Sequence, residues 1–263
     1  MNNMLLLFDL DGTLLKSNKT KSTYTYEILD QCRQAGFIIG VSTARSEKNS
    51  LEFISKLNPE IIISSGGALV RLKNDYVYRA EFSIEETNAF IELARTVCGE
   101  NCEITVDTVN EHYWNYKIDP KKLDASWGDT IYSDFNDFSE NALKICVEIS
   151  NTVIAKALQE KCKEYSCVKF SDGDWYKFSK KTATKENAIV TLCSEINISV
   201  NDMIAFGDDY SDIEMLKCCG IGVAMGNAIE EVKAIADCVI GTNDEEGIAK
   251  YLEGLLTKKN SML

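Results

Sequence analysis

An apolar run close to the N-terminus, Met4 to Leu10, is interrupted at its end by two carboxylates and a glycine, giving Phe8-Asp9-Leu10-Asp11-Gly12-Thr13. The run reads as a strand, and alternation along a strand points Asp9 and Asp11 one way and Leu10 the other. In a parallel sheet both acids would emerge at the carboxyl end, where open α/β sheets bind their ligands. Two acids at such a place suggest a cation and a nucleophile. Asp-Gly-Thr after a strand is also ordinary turn chemistry, so the rest of the chain has to decide.

Strands alternate with helices on either side of a different middle. The N-terminal strand leads to a helix near Thr25 to Ala35, which Gly36 can end in the left-handed conformation. Strand Phe37 to Ser42, helix Glu47 to Leu57 and strand Ile61 to Ser64 follow, then a hairpin of Ala68 to Leu72 and Tyr76 to Ala80 around Asn74-Asp75. Ser83 and Glu86 form a capping box that opens a helix to about Cys98. Strands Glu103 to Asp107, Glu111 to Tyr116 and Leu143 to Ile149, helix Asn151 to Glu164, and strands Val168 to Ser171 and Trp175 to Ser179 around Asp172-Gly173 complete an α+β middle. Alternation returns with helix Thr184 to Glu195, strand Met203 to Phe206, helix Asp212 to Cys218, strand Gly222 to Ala224, helix Ile229 to Ala236, strand Cys238 to Ile240 and helix Glu246 to Leu256. The expected fold is α/β: a Rossmann-like parallel-sheet core, residues 1–80 and 181–263, carrying an inserted α+β cap over 81–180.

A formal charge of −13 on 263 residues disfavours nucleic acid and anionic membrane surfaces as partners, and an anionic substrate would need a local cation. No Lys or Arg precedes Lys16 and no window reaches transmembrane length, so the chain reads as cytoplasmic. The ten cysteines include no CxxC pair and read as reduced packing residues; with one histidine, His112, a zinc site is improbable.

Three further segments bear on the paired acids. Val41-Ser42-Thr43-Ala44-Arg45 places a hydroxyl at a strand end just before a helix, where free amides suit a phosphate, although Thr43 or Ser46 would also serve as a plain helix cap. Lys185 stands in the first turn of a helix, where it opposes the dipole and calls for solvation or an anion; Lys180 and Lys181 are close competitors. Gly207-Asp208-Asp209-Tyr210-Ser211-Asp212 follows another strand and, with Asp9 and Asp11, would gather up to five acids. Like charges ~4 Å apart repel by several kcal/mol at a surface-like dielectric, so the cluster needs a cation or protonation. Carboxylates without His or Cys favour Mg²⁺.

These four segments, in this order, resemble the motifs of the haloacid dehalogenase superfamily, and the insertion together with Gly222-Val223-Ala224-Met225-Gly226-Asn227-Ala228 resembles its Cof-type subgroup (subfamily IIB, with a large α+β cap). The resemblance implies a Mg²⁺-dependent phosphatase acting on a small phosphorylated metabolite such as a sugar phosphate, as a monomer or small homo-oligomer. By that resemblance Asp9 is the nucleophile that forms an aspartyl-phosphate, and Asp11 the acid and base. Leu10, Thr43, Ala44, Lys185 and Ser211 bind the phosphoryl group, Asp9, Asp208 and the Asp11 carbonyl hold the metal, and Asp212 supports them. Arg45, Gly67, His112 and Tyr113 are the expected substrate contacts. Trp114, Trp127, Tyr132, Trp175 and Tyr176 add aromatic surface in the cap, much of it expected as cap core.

The chain departs from the usual pattern at Ala44 (commonly Gly), at Ser211 (commonly Asn) and at Gly66-Gly67-Ala68 (often Asn-Gly-Ala). These changes touch phosphate and substrate contacts and leave the acids in place. A phosphomutase of the same superfamily and a non-catalytic metabolite sensor are the rival readings.

Overall fold

The computed structural model describes residues 4–116, 130–170 and 173–260. In chain order, β1 (Leu5–Phe8), α1 (Thr23–Gln34), β2 (Ile38–Ser42), α2 (Glu47–Ile54) and β3 (Ile61–Ser64) alternate, and β4 (Leu69–Leu72) and β5 (Asp75–Arg79) form a hairpin. The middle of the chain holds α3 (Ile84–Cys98), β6 (Ile104–Asp107), β7 (His112–Trp114), β8 (Ile131–Tyr132), β9 (Lys144–Glu148), α4 (Thr152–Lys161), β10 (Tyr165–Lys169) and β11 (Trp175–Lys180). Then come α5 (Lys185–Ile196), β12 (Met203–Gly207), α6 (Ile213–Cys218), β13 (Ile221–Ala224), α7 (Glu230–Ile235), β14 (Cys238–Val239) and α8 (Gly247–Asn260). These elements divide into two compact units, one of Met1–Ala44, Phe53–Tyr78 and Lys185–Leu263, the other of Arg45–Glu52 and Arg79–Thr184.

The first unit is built on a sheet ordered β14-β13-β12-β1-β2-β3-β4-β5. The six strands from β14 to β3 run parallel, as the alternation predicts, and β4 returns antiparallel to β3 and opens the expected hairpin. Leu5, Leu6, Leu7 and Phe8 are all fully buried, as a central strand covered on both faces requires. Phe8 lies opposite Phe206 in the register of β1 with β12, and the two rings stack at 4.6 Å between centroids. Gly36 stops α1 with a φ of 87°, a conformation that side chains resist.

The second unit carries a sheet ordered β10-β11-β9-β6-β7-β8, antiparallel except for β7 with β8. α3 and α4 pack on each other, and the core includes Phe82, Phe90, Ile104, Val106, Ile145, Val147, Leu158 and Phe178. The Ser83–Glu86 capping box is formed at the start of α3. β10 starts at Tyr165, three residues before the expected Val168, because Tyr165 pairs with Lys180 and packs its ring on Phe82. Ser171, Asp172 and Trp127 lie outside the described residues.

At one end of this sheet, Asp107 on β6 stands opposite His112 on β7 and Lys144 on β9. Its Oδ1 meets His112 Nδ1 at 2.5 Å and its Oδ2 meets Lys144 Nζ at 3.0 Å, with all three residues buried. Burial alone would raise the pKa of Asp107, but Lys144 and His112 outweigh it and hold the carboxyl down to about 2. Removing Lys144 would leave a buried carboxylate without its main counter-charge. Lys144→Ala is expected to destabilise the protein by about 3 kcal/mol or more in urea unfolding, and a loss under about 1 kcal/mol would show the pair to be dispensable.

Candidate active site

The strand β1 ends at Phe8, two residues before the expected Leu10, and the two acids are thereby given different surroundings. Asp9 stays extended, its amide donating to Phe206 O at 2.9 Å. Leu10–Leu14 then wind into one wide turn, closed by Leu14 N to Asp9 O at 3.2 Å and Leu15 N to Leu10 O at 2.9 Å. Gly12 makes the turn possible on two counts: its φ is 80°, and a Cβ there would stand 2.2 Å from Asp208 Oδ2. The adjacent Thr13 hydroxyl donates to Asp208 Oδ1 at 2.6 Å. The turn after β1 and the loop after β12 are thus packed against each other through Asp208.

Lys185, at the start of α5, joins the remaining pieces. Its Nζ donates to Asp9 Oδ1 at 2.7 Å, to Asp212 Oδ1 at 2.6 Å and to Ser42 O at 3.0 Å. All three ammonium protons are therefore engaged. Lysine, Asp9 and Asp212 are only 4%, 7% and 0% exposed. Asp212 also takes the amides of Asp208 at 2.9 Å and Asp209 at 3.2 Å on Oδ2, and Gly207 leaves it room, since a Cβ at Gly207 would lie 2.5 Å from Asp212 Cβ.

The electrostatics of the cluster follow from burial. Desolvation raises the pKa of Asp9 well above the carboxylate range, with Asp212 adding to it and Lys185 opposing it. Desolvation likewise lifts Asp208 to about 7, against the hydrogen bond from Thr13. Burial would lower the pKa of Lys185, but Asp212 and Asp9 more than reverse that, so the ammonium is held charged. Carboxylate oxygens of Asp9, Asp208 and Asp212 all lie within 4.8 Å of one another. Among the described residues Asp9 and Asp208 each accept hydrogen bonds on Oδ1 only, leaving a second oxygen for a cation. A set of hard oxygen donors short of positive charge fits a hard divalent ion.

The other expected residues fall into two groups. Near the acids, Asp11 is half-buried and its Oδ1 accepts from Lys19 Nζ at 2.8 Å. Lys19 sits on the loop closed by the Leu15–Lys21 bridge, a contact that sequence reading missed because nothing local marks it. Thr43 is buried beside the next turn, its carbonyl accepting from Gly66 N at 3.0 Å, and Ala44 follows it. Gly67 spends its amide on Ser64 O at 3.0 Å, so that N–H is occupied within the turn. Leu10 is fully buried and Ser211 is exposed in the short turn Tyr210–Asp212. Arg45, His112 and Tyr113 belong to the second unit. There His112 is bound to Asp107, while Tyr113 donates its hydroxyl to Glu140 and packs its ring on Phe138.

A sequence model of haloacid dehalogenase-like hydrolases matches residues 6–252. The chain belongs to that family. Similar proteins in Bacillus subtilis include phosphatase YwpJ, 27% identical over 96% of this chain and 99% of the relative. The 5-amino-6-(5-phospho-D-ribitylamino)uracil phosphatase YitU of the same organism is 26% identical over 95% of this chain and 96% of its own. The hydrolase also shares its fold with a solved sugar phosphatase of subclass IIB, at a TM-score of 0.81 and 22% identity over 96% of this chain and 99% of that one. The resemblance to the haloacid dehalogenase superfamily and the α/β fold therefore stand.

With the Asp208 carboxyl near 7, a divalent cation competes with a proton below that pH and not above it. A divalent cation held by the cluster is expected to raise the melting temperature more at about pH 8 than at about pH 6, and the rise to disappear in Asp208→Ala. An equal rise at both pH values, or one that survives the substitution, would place the cation elsewhere.

Proposed function

We propose that this hydrolase is a Mg²⁺-dependent phosphatase of a small phosphomonoester, a sugar phosphate or related metabolite, working through an aspartyl-phosphate on Asp9. One observation carries the reading: Asp9, at the end of β1, is held by Lys185 through a single oxygen, and carboxylate oxygens of Asp9 and Asp208 lie within 4.8 Å of each other. That arrangement fixes a nucleophile and keeps its attacking atom available.

In this reading Asp9 attacks phosphorus and displaces the alkoxide leaving group, which takes a proton from Asp11. Water then attacks the phosphoryl group and gives a proton to Asp11, releasing inorganic phosphate and restoring the Asp9 carboxylate. Asp9, Asp208 and the Asp11 carbonyl would hold Mg²⁺, which screens the repulsion between the attacking carboxylate and the phosphate. Thr43, Ser211 and the amides of Leu10 and Ala44 would hold the phosphoryl oxygens. Lys185 balances charge; to touch a phosphoryl oxygen it would give up one of its present bonds, and that to Ser42 O is the longest. Residues 81–180 are assigned the selection of the leaving group, and the names of two relatives, a phosphoribitylaminouracil phosphatase and a sugar phosphatase, support polyhydroxylated substrates. With His112 and Tyr113 already bound within their unit, their contribution would be made by the edges left over from those bonds.

Asp9→Asn is expected to lower phosphate release from an aryl phosphate by about 10³-fold or more; persistent turnover in that variant would name another nucleophile. Asp11→Asn is expected to slow the chemical steps while the Mg²⁺-induced rise in melting temperature persists, because its backbone carbonyl is unchanged. Loss of that rise would contradict the assignment. A panel of phosphorylated metabolites ranked by kcat/KM tests the substrate class, and a best substrate that is isomerised without releasing phosphate would contradict hydrolysis.

A further inference from the structure

Asn227 lies in the turn between β13 and α7, outside the acid cluster, with its side chain exposed. Its Nδ2 donates to Gly12 O at 2.8 Å, and its Oδ1 accepts from Asn243 N at 3.0 Å. Asn243 in turn donates from Nδ2 to Leu15 O at 2.8 Å. Two asparagines from distant segments thus grip the wide turn after Asp9, one at the left-handed glycine and one at its exit.

The same turn grips the second acid loop. Met225 N donates to Gly207 O at 3.1 Å and Ile229 N donates to Asp208 O at 3.0 Å, one on each side of Asn227. The brace is itself anchored: Gly226 N donates to Gly241 O at 3.1 Å, and a Cβ on Gly226 would come within 2.9 Å of Ile240 O. Gly226 therefore has no room for a side chain. What the brace fixes is the direction of the Gly12 peptide, which sits between Asp11 and the Thr13 hydroxyl that holds Asp208.

We infer that Asn227 is a positioning residue for the phosphatase reaction, acting through the Gly12 carbonyl to set the Asp9–Thr13 turn against Asp208. Asn227 reaches neither the Asp9 carboxylate nor that of Asp208 and makes its contribution through the backbone. An exposed surface side chain is ordinarily replaceable with little effect. Here the bond it donates restrains a turn that carries the nucleophile, and displacement of reacting groups by ~1 Å can slow a reaction about a hundredfold. The inference rests on the phosphatase reading given above.

Asn227→Asp isolates the bond in question, because the carboxylate still accepts from Asn243 N–H but can only repel the Gly12 carbonyl; Asn227→Ala removes both bonds. Both variants, the parent protein and Asp9→Asn are compared for kcat, KM and melting temperature with an aryl phosphate and Mg²⁺. The expected result is a kcat lowered between about tenfold and about a hundredfold in both variants, with KM within about twofold and the melting temperature within a few degrees of the parent. A kcat in Asn227→Asp within about twofold of an active parent overturns the inference alone. So does a loss of kcat matched by an equal loss of folded protein in both variants. A parent that releases no phosphate overturns the phosphatase reading and this inference with it.

Discussion

The ammonium of Lys185 is the hub of this structure. Its three hydrogen bonds reach the residue after β1, the last residue of β2 and the loop after β12, so one side chain from α5 ties together the carboxyl ends of three adjacent strands. Taking a lysine and two aspartates out of water is costly, and a cluster of this kind persists only when every charge is met by hydrogen bonds of good geometry. Asp212 meets that condition on both oxygens, whereas Asp9 and Asp208 meet it on one each. The charge imbalance is left where the chemistry is assigned. A bound cation would offset it.

Two glycines make that packing possible, for reasons of space as much as of backbone freedom. Gly12 has the Asp208 carboxylate against it and Gly207 has Asp212 against it, so each acid sits where a side chain would otherwise be. The acids are consequently pressed close to backbone and to one another, and desolvation is the leading cause of the raised pKa of both Asp9 and Asp208. In the second unit the same physics is resolved differently: Asp107 has Lys144 and His112 on its two sides and stays ionised.

Much of this was legible before any coordinates. The apolar run Met4 to Leu10, the alternation around it and the carboxylates at two strand ends follow from local pattern, and β2, β3 and β12 stand where that pattern puts them. The capping box at Ser83 and the left-handed Gly36 were readable because they depend on a few adjacent residues. Lys185, rather than Lys180 or Lys181, was separable by motif alone, and Lys180 turns out to pair with Glu86. What stayed hidden is long-range. The grip of Asn227 on Gly12, of Lys19 on Asp11 and of Asp107 on its two neighbours each depends on strand order and turn shape. Alternation along β1 also misjudged the pair of acids, since the strand stops at Phe8 and the turn separates a buried Asp9 from a half-exposed Asp11.

The central claim is that Asp9, one of the two buried carboxylates held by Lys185, accepts the phosphoryl group. Acid quenching during turnover of an isotopically labelled phosphomonoester, followed by peptide mapping, tests it most directly. The account predicts label on the peptide containing Asp9, released by hydroxylamine as an acyl phosphate is, and absent from Asp9→Asn. Label on any other residue, or phosphate released in a burst with no labelled protein at any quench time, would contradict it.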